Sequence, residues 1–204
     1  MILKYYGHAC FKLESAAGSV VFDPYVSGYV PGFSLPPLDA DLVISSHEHS
    51  DHYAPESVKL SGREHNFIIE QIETFHDEEG GALRGKNIVS VVNAEGLRIA
   101  HLGDLGHELD EEQLKLLGKP DVLMIPVGGF YTIDAVAAKN IVDACSPRLV
   151  VPMHYREGER GLQNIAEAES FLKLFPESEV RRLSESRLEL TDEALQGICL
   201  FALP

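Results

Sequence analysis

The sequence predicts an α/β (mixed α+β) fold in which sheets are sandwiched together with helices outside. Three observations predict it. Short apolar runs separated by turn residues recur along the chain, and the first of them lie close enough to pair as antiparallel hairpins. From residue 41 onward, strand-like runs are followed by segments of helical period, the pattern of a layered architecture.

In chain order, residues 2–6, 10–14 and 19–22 read as strands, the last two joined by the turn Ser15-Ala16-Ala17-Gly18, giving an N-terminal antiparallel meander. Residues 23–38 form a loop with four prolines and two glycines, and Tyr25, Tyr29 and Phe33 are expected to be exposed on it. It reads either as a surface excursion or as a lip over a pocket. Strands are expected over 41–46, 66–74, 88–92, 97–101, 122–127 and 149–153. Helical period marks 108–117, 133–144 and 163–174, with Asp110 and Thr132 as start signals for the first two. The tail contains two further strand-like runs, 187–190 and 197–203, suited to closing a sheet edge. There is no internal repeat, low-complexity tract or linker, so one domain over 1–204 is expected.

With 204 residues and 45% hydrophobic content, the chain can bury one substantial core. Seventeen basic against 32 acidic residues give a net charge of −15, which opposes attraction to nucleic acid or an anionic membrane. An anion would therefore be held by a local cationic site, such as bound metal. No run of about 18 apolar residues marks a membrane span, and residues 1–4 do not lead into a signal peptide, so a cytoplasmic protein is expected. Cys10, Cys145 and Cys199 are distant from one another and read as small buried hydrophobes.

The densest chemistry is His47-Glu48-His49-Ser50-Asp51-His52, directly after the apolar run Leu42-Val43-Ile44. Alternation at a strand end puts His47 and His49 on one side, where both can reach one metal. A turn beyond Ser50 lets Asp51 and His52 address a second. Three more ligand types follow predicted strands: His76, Asp104 in His101-Leu102-Gly103-Asp104, and His154 after Val150-Val151-Pro152-Met153. Singly, each is explained as a loop histidine or a capping aspartate; together they recur at one structural position, where such folds gather functional loops. Imidazole and carboxylate donors suit zinc, and also manganese or iron.

These residues resemble the metallo-β-lactamase superfamily, whose His-x-His-x-Asp-His hallmark stands here at 47–52. Asp23 after an early strand, the isolated His76, Gly103-Asp104 and His154 match the rest of its pattern in order. Gly7-His8-Ala9, Phe22-Asp23-Pro24, Ile125 to Gly129 and Val151 to Tyr155 are similar to a branch of small metal-dependent hydrolases that includes ascorbate-6-phosphate lactonase. The similarity spans about residues 1–156.

The resemblance implies a four-layer αββα sandwich. It implies two divalent ions, zinc by expectation, with His47, His49 and His76 on one, Asp51, His52 and His154 on the other, and Asp104 bridging them with a hydroxide. Asp23 would orient a ligand or the 47–52 loop. Two ions contribute +4 and Asp51, Asp104 and hydroxide −3, leaving a site near +1 suited to developing negative charge. His8, placed near the metals, would donate a proton or touch substrate, or else be a capped strand-end histidine. Tyr155 would contact an oxyanion or be half-buried; His101 would pack or support the metal ligands from behind; His65 and His107 would be surface residues.

The expected activity is metal-activated hydroxide cleaving a small ester, lactone, amide or thioester, with Asp51, Asp104 and His8 as the catalytic residues. Phosphodiesterase or nuclease action and a metal-stabilised binding module are the alternatives. A diiron redox role fits less well, because His49 stands where diiron relatives carry glutamate. Only 24 positions separate His52 from His76, so the intervening helix is expected to be small and the pocket open. The acidic, flexible run Asp77-Glu78-Glu79-Gly80-Gly81 speaks against a strongly anionic substrate.

Overall fold

The computed structural model describes residues 1–204. Three N-terminal strands, β1 (Ile2–Tyr5), β2 (Phe11–Ser15) and β3 (Gly18–Phe22), form the expected antiparallel meander. A short pair of parallel strands, β4 (Leu38–Ala40) and β6 (Val58–Leu60), brackets β5 (Leu42–Ile44), which pairs in parallel with β3. Then come β7 (Ile68–Phe75), β8 (Lys86–Ala94) and β9 (Leu97–His101), another antiparallel meander. Helix α1 (Glu111–Leu117) leads to β10 (Val122–Pro126), and α2 (Ala135–Cys145) to β11 (Leu149–Met153). The chain ends with α3 (Glu169–Leu172), β12 (Val180–Arg182), β13 (Arg187–Glu189) and β14 (Gly197–Leu200).

Two sheets result, ordered β13-β1-β2-β3-β5 and β12-β14-β11-β10-β9-β8-β7. Leu3, Phe11, Leu13, Val20 and Phe22 from the first pack against Val92, Ile99, Met124, Val151 and Met153 from the second, making the dry centre of the sandwich. The other face of the larger sheet is covered by the helices, through Leu117, Ala138, Ile141, Phe171 and Leu172. Strands β10 and β11 are buried at every position, as expected for parallel strands covered on both faces.

The αββα sandwich is therefore present, with one outer layer reduced. The five-stranded sheet is covered by the 24–37 loop and the β4–β6 pair. Tyr25 and Phe33, expected to be exposed, are buried there with Val30 and Leu35, and the Tyr25 hydroxyl donates to Tyr6 O at 2.7 Å; Tyr29 alone of the three is exposed.

Other boundaries shift for local reasons. Helix α2 is capped by Asp134 rather than Thr132, because the Asp134 carboxylate accepts from both Val136 N and Ala137 N at 2.9 Å. Asp110 caps α1 as expected, in a reciprocal box with Gln113. The expected helix over 163–174 contracts to α3, since Ala166 N donates to Gly128 O and Arg156 N to Ala166 O, drawing 166–167 into a bridge with Arg156. The tail strands divide between the sheets: β13 pairs with β1, and β14 lies inside the larger sheet with β12 at its edge. No helix is long and apolar enough to cross a membrane.

Candidate metal centre

All seven ligand-type residues converge at one end of the sandwich. The turn following β5 carries His47, His49, Asp51 and His52, while β7, β9 and β11 deliver His76, Asp104 and His154 just beyond their ends. Donor atoms of His47, His49 and His76 all lie within 4.8 Å of one another. The same holds for His8, Asp51, His52 and His154, and for His47, His52 and Asp104. Asp104 stands between the sets: its carboxylate oxygens lie 3.0 Å from His52 Nε2, 3.2 Å from His76 Nε2, 3.2 Å from His154 Nε2 and 4.0 Å from His47 Nε2.

The donors fit divalent cations. Nε2 of His47, His52 and His154 and Oδ1 of Asp104 are buried and have no hydrogen-bond partner, a costly arrangement for polar atoms in a packed interior. Three imidazoles on one side and imidazoles with carboxylates on the other match the preferences of zinc and its first-row neighbours.

A buried network sets how two of these imidazoles are presented. Asp23, 1% exposed, accepts Ser46 N, Ser46 Oγ–H and His52 Nδ1–H, each at 2.7 Å. Because the single Ser46 hydroxyl proton goes to Asp23, the 3.0 Å contact between Ser46 Oγ and His47 Nδ1 assigns that nitrogen as the donor. Both His47 and His52 thereby carry Nδ1–H and turn Nε2 toward the site.

Asp104 is placed with equal care. Its backbone N donates to Asn87 Oδ1 at 2.9 Å, while Asn87 Nδ2 donates to Thr74 Oγ1 and Leu102 O. Gly103 precedes it at φ +56°, where a Cβ would collide with Ser46 and Asn87. His8, Asp23 and His154 all have positive φ (57°, 42° and 53°), so side chains around the site share a backbone region that L-residues seldom occupy.

The electrostatics favour neutral imidazoles beside ionised carboxylates. Burial lowers His47 to about 3, and burial together with the neighbouring His154 lowers His8 to about 4, so both are neutral at pH 7. Burial also disfavours ionised Asp104, yet the histidines around it hold its carboxyl well below the usual range. His52 is the exception: burial lowers it, but Asp104 and Asp23 on either side outweigh that and raise it well above an ordinary imidazole.

The remaining histidines sort by position. His101 is buried, stacks on Phe22 at 5.2 Å between centroids and lies 2.9 Å from Ala9 O, so it packs as expected. His107 and His65 are half-buried rather than surface residues, and His107 Nε2 accepts Phe75 N at 3.1 Å. Tyr155 is buried in the core beneath the helices and does not line the cavity. Ser46, Asn87 and Arg84 were not singled out from the sequence. Ser46 directly precedes the histidine cluster and was the one with a usable signal.

Above the centre opens a cavity of about 450 Å³. His49, Asp51, His76 and Asp104 form its floor, and Tyr29, Arg84, Tyr131 and Leu162 stand in its wall. Tyr29 thus makes the tip of the 24–37 loop a lip.

A two-sheet sandwich with histidines and aspartates gathered at its strand ends defines a metal-binding class of protein. The chain belongs to the metallo-β-lactamase superfamily: the model of the Beta-lactamase superfamily domain matches residues 2–154. A "UPF0173 metal-dependent hydrolase" of Caldivirga maquilingensis is 29% identical, over 75% of this chain and 81% of the relative. A metallo-β-lactamase superfamily structure from Thermotoga maritima superposes with a TM-score of 0.80 at 33% identity, covering 100% of this chain and 99% of that one. The isothiocyanate hydrolase of Delia radicum gut bacteria shares the fold, with a TM-score of 0.61 at 15% identity over 85% and 91% of the two chains.

Proposed function

We propose that this protein is a metal-dependent hydrolase that holds two divalent ions, zinc in the first instance, and cleaves a small ester, lactone, amide or thioester. The observation that carries the reading is the convergence of buried imidazole and carboxylate atoms without hydrogen-bond partners, in adjoining sets beneath an open cavity. His47, His49 and His76 would hold one ion, Asp51, His52 and His154 the other, with Asp104 shared between them. Divalent ions bound there supply Lewis acidity, lowering the pKa of water from 15.7 to about 7 and polarising the scissile oxygen.

The chain's own residues do the rest. Asp23 keeps the Nδ1 protons of His47 and His52 turned away from the site. Asp51 reaches the cavity floor and, held ionised, can accept a proton at its carboxylate as the bond breaks. His8 has no surface of its own, and its Nε2 lies 3.4 Å from Asp51 Oδ2. It serves as a positioning residue for Asp51 rather than touching substrate. The −15 charge and the small cavity favour a small-molecule substrate over nucleic acid.

The test joins elemental analysis to turnover of a generic lactone and a generic phosphodiester. Asp104→Ala is expected to lose bound metal and at least about 100-fold in lactone turnover, more than loss of a supporting residue costs. Full activity with two metals retained removes Asp104 from the centre, and turnover of the phosphodiester alone replaces the substrate class.

A further inference from the structure

Arg84 is the one cationic side chain in the cavity wall. Its guanidinium lies over the Tyr131 ring at 5.7 Å from the centroid, donates from Nη2 to Phe130 O at 3.3 Å, and forms no ion pair. In a chain with 32 acidic and 17 basic residues, an arginine left without a carboxylate partner beside a cavity calls for an explanation.

The loop that carries it is built to hold it there. The acidic run after His76 read from sequence as flexible and hostile to anions, but Asp77 turns inward and is 3% exposed. Its carboxylate accepts four backbone N–H groups, from Glu79 and Gly81 at 2.9 Å, Leu83 at 3.1 Å and Arg84 at 2.7 Å. Burial opposes ionisation, yet these donors hold its carboxyl below the usual range, so the charge is spent inside the loop. Glu78 and Glu79 border the adjoining cleft rather than this cavity; Arg84 stands between the two. On the cavity side, Asp51 and Asp104 belong to the proposed metal centre, which leaves Glu48, an exposed residue, as the other acid.

We infer that Arg84, stacked on Tyr131 and fixed through the Asp77 turn, is an oxyanion-binding subsite, so that the substrate carries a carboxylate or phosphate remote from its scissile bond. A guanidinium offers paired N–H donors to either group. This inference rests on the hydrolase reading for what happens at the other end of the ligand, but the subsite itself is a matter of binding. It also reverses the expectation from the acidic run that an anionic substrate is disfavoured.

The experiment is calorimetric binding to the zinc-loaded protein of succinate, glutarate and adipate, each against the monoacid of equal chain length, with 4-phosphonobutyrate beside glutarate. At least one diacid is expected to bind about 10- to 100-fold more tightly than its monoacid, the range of a charge-assisted hydrogen bond. Arg84→Gln, which keeps the stem, should abolish that preference, and Arg84→Lys should retain part of it. Comparing 4-phosphonobutyrate with glutarate decides between phosphate and carboxylate. Equal binding of diacids and monoacids at every length, or a preference that survives in Arg84→Gln, overturns the assignment. Turnover of mono-4-nitrophenyl glutarate against 4-nitrophenyl valerate is measured separately. If neither these esters nor the generic lactone is cleaved while the diacid preference stands, the hydrolase reading fails and the oxyanion subsite does not.

Discussion

Replacing Asp23 with Asn keeps the shape of a buried side chain and removes its charge, which isolates the tautomer argument. The amide oxygen can still accept Ser46 N, but the amide nitrogen then faces His52 Nδ1–H, where the carboxylate had accepted at 2.7 Å. His52 must either lose its partner or move its proton to Nε2, the atom proposed to bind metal. One charge-assisted hydrogen bond is worth about 1.5–3 kcal/mol, so affinity for the ion held by Asp51, His52 and His154 should fall about 10- to 100-fold. His47 is reached only through Ser46, and the other ion should be affected less. The metal-free protein should also melt lower by about 4–8 °C, since about 2 kcal/mol is lost from a chain of this size. Zinc titration against a competing chelator reads the affinity, elemental analysis the occupancy, and circular dichroism the melting. An Asp23→Asn protein that holds both ions with undiminished affinity and melts with the parent would refute the claim that this carboxylate sets the ligands.

Two further outcomes follow from the same geometry. Because Asp104 and Asp23 raise His52 well above an ordinary imidazole, the metal-free site is protonated there at pH 7, and metal binding should expel about one proton. Affinity then rises with pH, by up to about tenfold per unit while His52 is protonated, and levels off above its raised pKa; binding enthalpies that do not change among buffers of different ionisation heat would exclude this. Gly103→Ala should cost about 3 kcal/mol and about 6–12 °C in melting temperature, because φ +56° and the collision with Ser46 and Asn87 act together, and an unshifted melting curve would show that the turn yields easily.

Much of this was legible in the sequence because local patterns and tertiary demands agree there. Strands β10 and β11 announce themselves as apolar runs and are buried throughout. What was hidden depends on distant partners. The strand expected over 41–46 narrows to β5 at 42–44, and the Asp41 carboxylate, turned aside to accept Ser19 N at 2.8 Å and Ser19 Oγ–H at 3.0 Å, sets it apart from β4, which no apolar run announced. Strands β4, β6 and β12 are three residues each and pair only with remote or equally short segments, so no periodicity reveals them. The 24–37 loop looked solvent-exposed because nothing local says that Tyr25 and Phe33 will cover a sheet face.

The candidate site divides along the same line. Candidate ligand types are few and stand at strand ends, so composition and position together singled out the seven that converge. The residues that orient them need only a hydrogen bond of the right sense, which many side chains can make. Asn87 reads as an ordinary polar residue beside a strand until its amide is seen bridging Asp104 N, Thr74 and Leu102 O. Asp77 misled in the opposite direction. Its charge was legible, but whether that charge faces a substrate or is consumed by four backbone donors depends on the path of residues 77–84. Counting acidic residues near the histidine therefore says little about the cavity wall, where the end of that turn places Arg84.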